Sequence, residues 1–199
     1  MRNSDSSGPF CHSDFVTDSS FRGEASFTII ELLVVIAIII ILAGLILSTV
    51  GYVQKKGARA RAEAEIAAMS AALESYKADN GIYPRDATAT DTLDARASGN
   101  PANYQTASLF LYNSLFGSTN GSRTPTSGAK SYFAFRPNML SPSDQTQNVQ
   151  YVRDPFGNSY GYSTAYQSNA STGYNPTYDL WSTAGLTSGT DSTQWIKNW

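Results

Sequence analysis

The chain of 199 residues has one cysteine and one histidine, Cys11 and His12, and both lie within its first 26 residues. Beyond that point no cysteine pair can staple the fold. A Ser, His and Asp constellation and a Cys nucleophile are excluded there too, so an enzyme is not expected. Proline is absent between Pro9 and Pro84, and nothing from Phe27 to about Asp79 breaks a helix. Charge is also scarce. From residue 27 onward twelve acidic and twelve basic side chains cancel, whereas a nucleic-acid binder would carry a basic excess. No internal repeat is visible, and stability has to come from packing and, if one is present, a metal.

What the chain does have is a long apolar run. Leu32 to Val53 contains no charge, and the next one is Lys55. A bilayer takes about 20 apolar residues of helix to cross, so this run is long enough. Glu31 stands at its head, and an ionisable group in such a place is rare without a partner. The stretch 27–79 predicts one continuous helix about 80 Å long, at a rise of about 1.5 Å per residue. After Lys55, Ile66, Met69, Leu73 and Tyr76 form an apolar stripe to carry a globular domain, while Arg59, Arg61, Glu63 and Glu65 are expected to keep other faces wet. Asn80-Gly81 followed by Pro84 predicts the helix end.

Farther along, residues 85–103 read as a loop. Leu109, Phe110, Leu111, Tyr112, Leu115 and Phe116 read as a short helix on the stem ended at Gly117, with a polar connection over 117–130. Strands are expected at Ser131–Phe135, Tyr160–Tyr166 and Thr177–Thr183. Asp154-Pro155-Phe156-Gly157 has the residues of a type I turn, which accounts for Asp154 beside Arg153 without a catalytic pair. The economical architecture is α+β, a small antiparallel sheet laid across a long N-terminal helix.

The words around Glu31 name a family. Ser26-Phe27-Thr28-Ile29-Ile30-Glu31-Leu32-Leu33-Val34-Val35-Ile36 resembles the cleavage and methylation motif of type IV pilins and of the pseudopilins of type II secretion. Leu73 to Pro84, Asp154 to Tyr162 and Tyr178 to Gly185 resemble the helix end, sheet entry and last strand of the major pseudopilin. The resemblance implies cleavage between Ser26 and Phe27, N-methylation of Phe27, and a subunit-assembly role for Glu31 opposite the terminal amine of a neighbour. Ser26 stands where the family prefers Gly, and the leader has a net charge of minus 2 where family leaders are basic.

The domains that follow are a cleaved leader over 1–26, a transmembrane half of the stem over 27–53, a soluble amphipathic half over 54–80 and a globular pilin-like domain over 81–199. The implied partners are further copies in a helical homopolymer, minor pseudopilins, the prepilin peptidase, the inner-membrane assembly platform and the membrane itself. The implied place is the inner membrane with a periplasmic C-terminal domain. A count of the basic residues Lys55, Lys56, Arg59 and Arg61 would by itself put the C-terminus in the cytoplasm, opposite to what the resemblance implies.

In major pseudopilins the loop after the last strand binds calcium, a hard cation that takes six to eight oxygens. In this chain the loop Gly185–Gln194 offers only Asp191, with Asp179 on the strand before it, so a hydrogen-bonded polar loop is favoured over a calcium site. The expected function is a structural subunit of a type II secretion pseudopilus. The rivals are a type IV pilin for adhesion or motility and a membrane-anchored extracytoplasmic binding module.

Overall fold

A helix without proline or an interior charged face needs only its ends defined, and both are. In the computed structural model, which describes residues 27–97 and 99–199, α1 runs Ile29–Asn80. Gly81 takes φ +79° and its N–H donates to the Lys77 carbonyl at 2.7 Å, which closes the last turn in the left-handed geometry that glycine adopts without strain. The chain divides into two compact units, Met1–Leu47 and Ser48–Trp199. The expected leader over 1–26, Ser26 included, lies outside the described residues.

In the first unit the apolar side chains of α1 are exposed among the described residues: Ile29 is 86% exposed and Leu47 74%. Burying one such side chain is worth about 1.5–3 kcal/mol, so covering a run of this length is strongly favourable, and the run fits a single-pass membrane anchor. α1 is the one described helix long and apolar enough to cross a membrane.

The second unit is built on the remainder of α1. Ile66, Met69 and Leu73 are buried as the stripe requires, joined by Ala62 and Ala72, while Tyr76 is partly buried. Helix α2, Gln105–Phe116, packs its Leu111, Tyr112 and Leu115 into the same core, and Gly117 at φ +74° caps it. A Cβ there would stand 2.8 Å from the Lys130 carbonyl oxygen, so close approach and handedness both ask for glycine.

Two small antiparallel sheets complete the unit. β1 (Leu140–Ser141) pairs with β2 (Tyr151–Val152), and β3 (Gly161–Ser163) precedes a single helical turn, α3 (Ala165–Ser168). β4 (Asp179–Ser182) lies between β3 and β5 (Ile196–Lys197). Ser108 of α2 clamps β2, accepting from Val152 N–H at 2.9 Å and donating to its carbonyl at 3.3 Å. Gly161 pairs with Trp181 across the sheet, and a Cβ at Gly161 would fall 2.2 Å from the indole. The missing side chain leaves room for the Trp181 indole, which meets Tyr104 edge to face at 5.0 Å and lies parallel to Trp195 at 6.1 Å.

The architecture is α+β and consistent with a pilin-like fold, with several differences from the sequence expectation: two small sheets form where one was expected, and the strand expected at Thr177–Thr183 covers only Asp179–Ser182. Ser131–Phe135 is not a strand. Its backbone closes the end of α2, Tyr132 and Phe133 N–H both donating to the Leu115 carbonyl, and its aromatics pack on the core. Tyr160–Tyr166 is a strand only over Gly161–Ser163 before it turns into α3. And Glu65 is not on a wet face but 1% exposed, inside the core.

Candidate functional site

Glu31 is the third residue of α1, and Thr28 immediately precedes the helix. A helix start leaves four backbone N–H groups without intrahelical partners. Here Glu31 Oε2 accepts from Thr28 N–H at 2.9 Å and from the Thr28 hydroxyl at 2.8 Å, while Glu31 N–H reaches Thr28 Oγ1 at 3.3 Å. This is the reciprocal Thr-x-x-Glu box that pins a helix terminus. The Thr-x-x-Glu spacing that signals this box is present in the sequence, where the carboxylate also suits an amine. Phe27, the residue before, is 82% exposed. Ser26 is not among the described residues.

The two aspartates suggested for calcium are occupied elsewhere. Asp179 on β4 is buried and its two oxygens accept the backbone N–H groups of Tyr174, at 2.8 Å, and Asn175, at 2.9 Å. Burial pushes its carboxyl up, and those two backbone bonds work against the shift. Asp191 caps a short 3-10 turn, Ser192–Gln194, by accepting from Thr193 N–H at 2.9 Å. That bond holds its carboxyl below the usual range. Among the described residues no three His, Cys, Asp or Glu side chains gather where a metal ion could be held. Two carboxylates with separate hydrogen-bond duties do not fit the oxygen cage that calcium takes.

A polar cluster that sequence reading missed sits under the turn 154–157. Glu65 accepts from Arg61 Nε at 2.8 Å and from the Tyr160 hydroxyl at 2.8 Å. Arg61 and Glu65 are four apart on α1, which was legible, but the burial comes from β3 and its approach, which no local pattern records. Burial first, then the charge of Glu65, pushes the Tyr160 hydroxyl far up, so it stays a donor. Next to it, Asp154 accepts from Phe156 N–H at 3.0 Å, Asn158 N–H at 2.8 Å and the Ser182 hydroxyl. The turn is thereby fixed to the end of β4. Arg59, one turn before Glu63 on α1, donates to the Gln194 carbonyl at 2.8 Å and ties the stem to the C-terminal loop.

One comparison with known proteins has its bounds within this same unit. The family model described as type II secretion system protein G matches residues 50–115. Curated relatives include the type II secretion system core protein G of Pseudomonas aeruginosa, 36% identical over 80 residues, which are 40% of this chain and 56% of that protein. The same-named proteins of Aeromonas hydrophila and Vibrio cholerae are 36% identical over 72 residues and 31% over 85, covering 50% and 58% of their lengths. Over these stretches the chain is similar to type II secretion system protein G. It spans about half the length of the curated relatives it matches. No solved structure matches it.

The stretch matched by the protein G model runs from the end of the apolar run through the buried stripe and α1 terminus to α2. It holds Arg61 and Glu65 but neither Glu31 nor the sheet that covers Glu65. The match to the protein G model and the geometry at Glu31 are therefore separate observations.

Proposed function

We propose that the chain is a structural subunit of a type II secretion pseudopilus, anchored by the first part of α1 and polymerising through it. The observation that carries this reading is a carboxylate at the third helical position of an uncovered apolar helix, joined to a second unit related to protein G. After cleavage before Phe27 the new amine would lie four residues from Glu31. A charge left alone in hydrocarbon is costly, and an amine from a neighbouring subunit offsets that cost. In the free chain Thr28 serves as a partial partner, using one carboxylate oxygen. Head-to-tail repetition of this contact gives an open helical array that can grow. The minor pseudopilins, the prepilin peptidase and the inner-membrane platform are the partners such a subunit would need, and its globular part would then lie in the periplasm.

The test separates the cap from the assembly contact. Glu31→Ala and Thr28→Ala each remove the box, but only the first removes the carboxylate. Glu31→Ala is expected to insert and fold yet form no filaments, while Thr28→Ala polymerises. Equal filament yields from Glu31→Ala and the unaltered chain, measured by shearing and immunoblotting, would refute the mechanism. Sequencing the amino end of the native protein tests processing: an end at Phe27 supports it and an end at Met1 refutes it.

A further inference from the structure

Within the second unit a groove of about 610 Å³ has Tyr52, Lys55, Lys56 and Arg59 of α1 on one wall and Phe156 and Leu186 on the other. Its cations are not equivalent. Arg59 is committed to the carbonyls of Gln194 and Trp195, at 2.8 and 3.4 Å, and to Glu63 at 3.5 Å. Lys55 and Lys56 are exposed, and among the described residues neither forms an ion pair. Two lysines lining one groove, neither held in an ion pair among the described residues, favour an anion. The facing wall is apolar and fixed: the Asp154 turn holds Phe156 against Gly185, where an added Cβ would lie 3.3 Å from the ring.

The position selects among anions. Val50, Tyr52 and Val53 are exposed and Tyr52, at the end of the apolar run, lines the groove, so when 32–53 sits in a membrane the groove lies at its boundary with water. Lysines there can lay their stems on apolar surface and keep their heads at the phosphates, and tyrosine favours the same depth. A free phosphate would satisfy Lys55 and Lys56 but leave Phe156 and Leu186 without use. A phospholipid of net negative charge uses both walls. We propose that the groove seats the headgroup of an anionic phospholipid, with Lys55 and Lys56 on its phosphate and Phe156 and Leu186 against its glycerol and the first acyl carbons. Lipid bound there would hold the stem at a fixed depth, a role separate from filament contacts.

The experiment uses the full chain in detergent, titrated with phosphatidylglycerol or phosphatidylcholine and followed by native mass spectrometry. The unaltered protein should retain one phosphatidylglycerol in preference to phosphatidylcholine. Lys55→Gln/Lys56→Gln should lower that preference by about thirtyfold, each cation near an anionic surface being worth about fivefold. Both lysines are exposed and Arg59 is left in place, so the fold is not at stake; Lys55→Arg/Lys56→Arg should keep the preference. Glu31→Ala should bind as the unaltered chain does, which keeps this result apart from that of assembly. Equal retention of the two lipids, an unchanged double glutamine variant, or displacement by inorganic phosphate or by an acidic peptide as readily as by phosphatidylglycerol would each overturn the proposal.

Discussion

Arg61→Met tests the buried cluster most directly. Glu65 is 1% exposed and Arg61 40%, so removing the guanidinium leaves a carboxylate in the core with the Tyr160 hydroxyl as its remaining hydrogen-bond donor. Breaking a buried pair in this way costs about 3–5 kcal/mol when both partners are enclosed. Water reaches the Arg61 side, which places the expected loss near the lower end, about 2–3 kcal/mol. Removing both charges should not add to this. Arg61→Met/Glu65→Met abolishes the desolvated carboxylate, leaves only the Tyr160 hydroxyl short of an acceptor at about 1–3 kcal/mol, and gains apolar contact. The double variant is therefore expected to be no less stable than Arg61→Met, with a coupling of about 1–2 kcal/mol. Urea unfolding in detergent, followed by the near-ultraviolet circular dichroism of the Tyr and Trp side chains, reads these differences. A single variant within about 0.5 kcal/mol of the unaltered protein, or a double variant with additive losses, would refute the account.

Further outcomes follow from the other carboxylates. Burial raises the Asp154 carboxyl against the bonds it accepts from Ser182, Asn158 and Phe156, so the folded state holds this proton more tightly than the unfolded one. Its contribution is present below the unfolded value of about 4 and is lost as pH rises through the raised one; the stability difference between the unaltered protein and Asp154→Asn should shrink over that window. Urea midpoints across pH check it, and a difference that grows with pH contradicts it. Calcium should leave the thermal midpoint where EDTA leaves it, because Asp179 and Asp191 have separate partners. A saturable rise with calcium would show a cage that the two side chains do not form here.

Much of the stem was legible because its information is local. The absence of proline, the spacing of Ile66, Met69 and Leu73, and Asn80-Gly81 fix α1 and its buried face through helix periodicity and the glycine conformation at its end. Gly117 ends α2 for the same reason. The strands were harder. β1, β2 and β5 are two residues each, too short for an alternation to register, and the aromatic run Ser131–Phe135 has strand composition but spends its N–H groups on the end of α2.

For the site the division is sharper. Sequence alone determined that one carboxylate heads a membrane-length apolar helix and that a basic group follows it, since both depend only on order along the chain. Only the tertiary structure decided that Glu65 is buried against Tyr160, that Asp179 and Asp191 serve separate backbone turns, and that Phe156 and Leu186 face Lys55 and Lys56. The two aspartate turns are local, but Glu65 and Tyr160 are 95 residues apart in the chain and the walls of the groove about 100 to 130, and what joins them is the packing of the sheets on the stem, which no periodicity encodes.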